Sequence, residues 1–338
     1  MKILVVGPSW VGDMCMAQSL FKLLKQSHPQ ADIDVLAPAW SQALLDRMPE
    51  VNTSIILPFG HGEFEFLARV RFGRSLRKAA YDWAIVLPNS WKSAVVPWAA
   101  GIKKRTGWLG EGRYGLLNDW QKLEKASYPL MIQRFAAVVD FKKGVLAKND
   151  IPIPQLEPDV EQQKNLLTSL KLNLEKPVLI LCPGAEYGAT KIWPANYYAE
   201  VAQHYLDQQW QVWLLGSPND ETTAQAIEQM LTPAADFKNL VGQTKLGDAV
   251  DLLACAQSVV ANDSGLMHIA AALGQRTLAI YGSTSPAFTP PLGDAVDILQ
   301  VENLYCRPCF KRECAEKHLR CLRDITSDQV VKVLAQSA

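Results

Sequence analysis

Residues 2–14 read KILVVGPSWVGDM, and this stretch decides the fold class. Lys2–Val6 is a short, β-branched run without alternation, the pattern of a strand covered on both faces. It passes straight into a turn holding Gly7 and Gly12, then into a helical period with Met16, Leu20, Leu23 and Leu24 on one stripe. Strand, glycine turn and helix open an α/β unit, and open parallel sheets bind ligands at the carboxyl ends of their strands, where this turn lies. It is not a P-loop, because no Lys-Ser or Lys-Thr pair follows Gly12, and its spacing is not G-x-G-x-x-G. Asp13 lies at its end, where a carboxylate can cap the helix, act as a base, or do both.

The same alternation continues outward. Ile33–Leu36, Ser54–Leu57 and Trp83–Leu87 read as strands, with helices expected over Gln42–Met48 and Phe64–Ala80. Residues 151–159, IPIPQLEPD, hold three prolines and read as a linker. Beyond it the pattern restarts, with strands at Pro177–Cys182, Trp210–Leu215, Ser258–Ala261 and Thr277–Ile280, a helix at Ala195–Leu206, and a short amphipathic helix at Ser327–Ala335. The chain has 338 residues, more than one ordinary core needs. The expected architecture is α/β, two Rossmann-like domains facing across a cleft, at 1–155 and 156–322, with 323–338 a C-terminal helix able to pack back on the first.

Composition excludes several classes. The 34 basic and 34 acidic residues cancel, so no nucleic-acid partner is expected. No run approaches the roughly 18 apolar residues of a spanning helix, and the start lacks the regions of a signal peptide, so a cytoplasmic protein is expected.

Further motifs follow strands. In CPGAEYGATKIWP, 182–194, a glycine-rich loop can wrap a diphosphate with Lys191 as its point charge, and Thr190 stands beside it. In NDSGLMHIAAALG, 262–274, the N–H groups of Ser264 and Gly265 at a helix start form an anion site, with Asp263 before them and His268 one turn in. In GSPNDE, 216–221, Asp220 can contact a ribose or cap the next helix. Arg69, Arg71, Arg74, Arg77 and Lys78 crowd one segment of the first half, and Lys103, Lys104, Arg105 and Arg113 another. Either is a solvated face or a seat for an anionic acceptor.

GPSWVGDM, CPGAEYGATKIWP and NDSGLMHIAAALG, with LPNSWKSA, RTGW, RYGLLNDW and YGSTSPAFTPPL between them, together resemble the ADP-heptose:lipopolysaccharide heptosyltransferases of glycosyltransferase family 9. The resemblance runs over nearly the whole chain and implies a GT-B fold and an inverting transfer. Heptose would move from ADP-heptose to the first heptose of the inner core on Kdo2–lipid A, at the cytoplasmic face of the inner membrane, with peripheral membrane contact and no cofactor or divalent cation. It implies Asp13 as general base and Lys191 at the donor diphosphate. Gly12, Thr190, Asp220, Asp263, Ser264, Gly265 and His268 are expected around the donor. Arg74, Arg77, Lys78, Lys92, Arg105 and Arg113 are expected around the acceptor. Rival readings are heptosyltransferase I or another GT-B nucleotide-sugar enzyme, and a two-domain solute-binding protein without chemistry.

Cys306, Cys309, Cys314 and Cys321 fall in YCRPCFKRECAEKHLRC. The opening C-x-x-C suits two ligands of one metal, and the later thiols could complete a tetrahedral structural site. The alternative is four free thiols, since disulfides do not persist in the cytoplasm.

Overall fold

Ile3–Val6 are at most 3% exposed, which requires cover on both faces and hence a central position. The computed structural model describes residues 1–60 and 62–336. The chain divides into two compact units, Met1–Pro154 and a second from Gln155 onward. In the first, β1 (Lys2–Val6), β2 (Asp32–Ala37), β3 (Thr53–Ile56), β4 (Trp83–Val86), β5 (Lys104–Trp108) and β6 (Asp119–Gln121) form one sheet in the order β3-β2-β1-β4-β5-β6. In the second, β7 (Val178–Cys182), β8 (Gln211–Leu214), β9 (Phe237–Asn239), β10 (Ser258–Asn262), β11 (Arg276–Tyr281) and β12 (Val296–Gln300) are ordered β12-β11-β10-β7-β8-β9. Counted from the start of each unit, the two orders are identical, and every paired neighbour is parallel.

This order reverses direction between β1 and β4 and again between β7 and β10. Connections leave such neighbouring strands toward opposite sides, which opens a crevice at their carboxyl ends. The loops after β1 and β4 therefore define the candidate site of the first unit, and those after β7 and β10 that of the second.

Helix Val11–Ser27 buries Met16, Leu20 and Leu24 of the stripe its spacing predicts, leaves Leu23 half-buried, and buries Met14 as well. In the second unit, helix Ala195–Asp207 buries Tyr198, Val201, Ala202 and Tyr205. The final helix, Ser327–Ala335, spends its apolar stripe in that same core through Val330 and Leu334, and Arg276 donates to the Val333 and Leu334 carbonyls at its end. Through this helix the described segment after residue 322 belongs to the second unit.

The strands β5, β6, β9 and β12 were not expected from the sequence. In β5, KRTGW, cations and a glycine mask the strand pattern; Lys104 lays its ammonium 3.8 Å from the centre of the Trp83 ring. Among the described residues, no helix is long and apolar enough to cross a membrane.

Candidate active site

At the second unit's switch point, β7 ends at Cys182 and the chain crosses to helix Ala195–Asp207 through the loop 183–194. Asn262, the last residue of β10 and wholly buried, holds this loop at both ends. Its amide donates to the Pro183 carbonyl at 2.6 Å, and its oxygen accepts from the Trp193 N–H at 3.1 Å. Gly188 adopts φ +147°, and a Cβ there would meet the Arg312 carbonyl at 2.7 Å, so only glycine lets the loop lie this close.

The loop so held brings Lys191 to Asp263. Lys191 Nζ lies 2.6 Å from Asp263 Oδ2, with the side chains 15% and 4% exposed. The Thr284 hydroxyl donates to the same oxygen. The Lys191 ammonium also lies 5.1 Å from the centre of the Tyr187 ring. One carboxylate oxygen uses one of the three donors of an ammonium, so the cation keeps capacity for a further anion. His268 is buried nearby; burial pushes its imidazole down to about 4, while Asp263 raises it and Lys191 lowers it, so the ring is neutral at pH 7. Ser264 is the N-cap residue of helix Gly265–Ala272, yet no side chain caps that helix. Asp263 is committed to Lys191 and Thr284, so the first N–H groups keep their capacity for an anion.

Two other expected donor residues are placed differently. Thr190 is 2% exposed; its hydroxyl donates to the Lys311 carbonyl at 2.5 Å and accepts from Ser283 Oγ at 3.0 Å, so it braces the loop from behind. Asp220 forms a capping box: its Oδ2 accepts the Ser217 N–H at 2.8 Å, and its carboxyl packs where a Cβ on Gly184 would stand. Its carboxylate thus closes the 3₁₀ turn Pro218–Asp220 as the partner of Ser217, and does not cap helix Glu221–Gln229.

In the first unit, the N-cap of helix Val11–Ser27 is Trp10, so Asp13 is not the cap; it sits in the first turn, with Gly12 beside it, at the carboxyl end of β1. Lys92 follows β4 on the same side of the sheet and donates to the Glu63 carbonyl at 3.1 Å.

Of the remaining basic residues expected around an acceptor, Arg113 comes to this end but is buried in holding a loop, and the others lie elsewhere. Arg113 is wholly buried and donates to Pro88 O at 2.5 Å, Ser93 Oγ at 3.1 Å and the Trp108 carbonyl. Burial lowers its pKa to about 10. It is the clamp of the loop after β4. Arg105 spends its guanidinium on the Leu116, Ile102 and Gly115 carbonyls. Arg74, Arg77 and Lys78 close helix Phe66–Ser75 and the 3₁₀ turn after it. That helix links two parallel strands, so it runs from their carboxyl ends to their amino ends, and its last residues lie opposite to Asp13. Arg77 confirms the placement by donating to Ala99 O at 3.1 Å, just before β5 begins.

Asp32-Ile33-Asp34 has the Asp-x-Asp spacing of a metal-binding pair but lies within β2, where Asp34 accepts from the Tyr81 hydroxyl at 2.7 Å and the Asn52 amide at 2.9 Å.

The four clustered cysteines are free thiols, and among the described residues no three His, Cys, Asp or Glu side chains are grouped to hold a metal. Cys306 Sγ lies 4.0 Å from His318 Nε2, whereas Cys321 is buried in the core, which pushes its thiol up to about 11. The tetrahedral site suggested by spacing is not assembled. The segment instead supports the loop 183–194 and its neighbour: the Phe310 carbonyl accepts the Tyr187 hydroxyl at 2.5 Å, and the Cys309 and Phe310 N–H groups donate to the Ser283 carbonyl. Asn262, Tyr187, Thr284 and Arg312 stand inside the quoted stretches, but their roles rest on contacts that no spacing reveals.

Comparison with known proteins places these features in context. The profile of glycosyltransferase family 9 (heptosyltransferase) matches residues 69–320. Lipopolysaccharide heptosyltransferase 2 of Salmonella typhimurium is 47% identical, covering 99% of this chain and 97% of its own. Lipooligosaccharide heptosyltransferase 2 of Haemophilus ducreyi is 43% identical, covering 99% of each chain. Among solved structures, that of E. coli ADP-heptose LPS heptosyltransferase II superposes with a TM-score of 0.88 at 43% identity, covering 99% of this chain and 98% of that one.

Proposed function

The chain belongs to glycosyltransferase family 9 and has the GT-B fold, and from that premise we propose that it transfers heptose from ADP-heptose to the first heptose of the lipopolysaccharide inner core. The relatives that bear this activity by name are similar over their full length, including the first unit, where acceptor choice resides in this reading. The observation that carries the donor assignment is the Lys191–Asp263 pair at the β7/β10 switch point, beside the uncapped start of helix Gly265–Ala272.

In this reading the ADP diphosphate lies against Lys191 and the Ser264 and Gly265 amides, which stabilise the charge that grows on the departing ADP. Asp13 takes the proton of the acceptor hydroxyl as its oxygen attacks the anomeric carbon. The sugar passes through an oxocarbenium-like state and its configuration inverts. Asp263 orients Lys191, and neutral His268 packs beneath the pair without adding a charge.

The acceptor is carried by a lipid, so peripheral contact with the cytoplasmic face of the inner membrane forms part of the proposal. Trp10, Trp40 and Phe64 are exposed by 48%, 37% and 55% on loops that follow β1, β2 and β3, the same end as Asp13 and Lys92. Aromatic rings suit both a saccharide face and a headgroup layer.

The test is release of ADP from ADP-heptose with defined truncated acceptors. The proposal expects turnover with heptosyl-Kdo2–lipid A and none with Kdo2–lipid A. Turnover with Kdo2–lipid A alone would make the enzyme a first heptosyltransferase.

A further inference from the structure

The loop 183–194 has a second cation close by. The Arg312 guanidinium lies 5.5 Å from the centre of the Tyr187 ring, the ring that also carries the Lys191 ammonium at 5.1 Å. We propose that Arg312 binds the diphosphate of the nucleoside diphosphate sugar jointly with Lys191, the two cations being spaced by the Tyr187 ring. This rests on the donor site placed above and adds a residue to it.

Three observations carry the inference. First, Arg312 is fixed to the loop through its own backbone. The Thr190 N–H donates to the Arg312 carbonyl at 3.4 Å, and a Cβ on Gly188 would stand 3.2 Å from Arg312 Cβ, so the residue cannot drift from Lys191 without the loop moving. Second, Tyr187 is itself tied down, by its hydroxyl on the Phe310 carbonyl, so the ring is a fixed platform for both cations. Third, the two cations differ in what neutralises them. Lys191 is paired with Asp263, whereas no carboxylate among the described residues is ion-paired with the exposed Arg312. A guanidinium held over an aromatic face has its five donors at the ring's edge and beyond, in a fork that matches phosphate oxygens.

The inference also gives the cysteine-rich segment a purpose that the metal reading did not. Its chain from Cys309 to Arg312 lies against Ser283, Thr190 and Gly188, and it delivers one cation to the rim of the donor loop.

The test uses calorimetry of the full-length protein with ADP and with adenosine, comparing wild type with Arg312→Ala and Arg312→Lys. The side chain is exposed and its anchoring carbonyl survives any substitution, so both variants should fold; thermal melting checks this. The proposal expects Arg312→Ala to weaken ADP about tenfold or more, Arg312→Lys to recover part of the loss, and adenosine affinity to stay constant. Unchanged ADP affinity in Arg312→Ala overturns it, as does an equal loss for ADP and adenosine, which would make Arg312 a packing residue. Failure of the wild type to bind ADP would instead overturn the donor site itself, and this proposal with it.

Discussion

The two units share one strand order and place their loops at equivalent switch points, yet they carry opposite chemistry there. In the first, a carboxylate in the opening turn of a helix lies at the same end of the sheet as exposed aromatic rings, and the loop after β4 is held by a buried arginine. In the second, the loop after β7 is held by a buried asparagine, and the emerging side chains are a lysine paired to an aspartate beside an uncapped helix start. One polar group in each unit serves the backbone so that another can serve the ligand. The frame decides where a site lies; the few side chains leaving the strand ends decide whether it takes a proton or holds a phosphate.

The comparison breaks most sharply at Asp13. Asp13→Asn should lower kcat by about 10²–10⁴-fold, the usual cost of losing a general base. Turnover within a few-fold of wild type, in a folded variant, would reduce Asp13 to a helix-terminal charge.

The two clamps differ from the two ligand groups in what they stabilise. Arg113→Met leaves the carbonyls of Pro88 and Trp108 without their donor, which should cost on the order of 3 kcal/mol, or roughly 10 °C in Tm. A Tm within about 2 °C of wild type would show that water replaces the guanidinium and that the loop needs no clamp.

His268 sharpens the second unit's side. With its folded pKa pushed down to about 4 from an ordinary 6.5, the unfolded chain takes up the proton first. Its contribution, on the order of 3 kcal/mol, is therefore present above pH 6.5 and is lost as pH falls toward 4. His268→Gln should flatten that part of the stability profile in denaturant titrations between pH 4 and 6.5; an unchanged slope would mean that the ring is protonated in the folded protein.

The smallest effect is expected from the densest charge. Arg74, Arg77 and Lys78 lie at the amino end of the first sheet, so replacing all three should leave acceptor KM within about twofold. A tenfold rise would return the acceptor to that end.

These contrasts also mark what the sequence could convey. The stretches ILVV, VLILC and VVA are apolar throughout, and apolar runs leading into glycine loops locate central parallel strands and their switch points without a structure. The outer strand β5 escaped because its half that leads in is exposed and tolerates lysine and arginine, and its glycine breaks the apolar run. At the site, Lys191, Asp263 and His268 were legible because each stands on a motif directly after a strand, and the structure brings them together. Arg105 and Arg113 were misread because a count of cations does not reveal which guanidinium is consumed by carbonyls. Thr190 and Asp220 show the same limit: a hydroxyl or carboxylate near a ligand loop serves the backbone as readily as the ligand, and spacing does not tell which.

The division of labour between the units is tested most directly by titrating ADP into wild type, Asp13→Asn and Lys191→Ala in one calorimetric series. The account predicts that Asp13→Asn binds ADP within about twofold of wild type, while Lys191→Ala binds it about tenfold or more weakly, the loss of one charge-assisted contact. Weakened binding in Asp13→Asn together with unchanged binding in Lys191→Ala would contradict it and move the donor to the first unit.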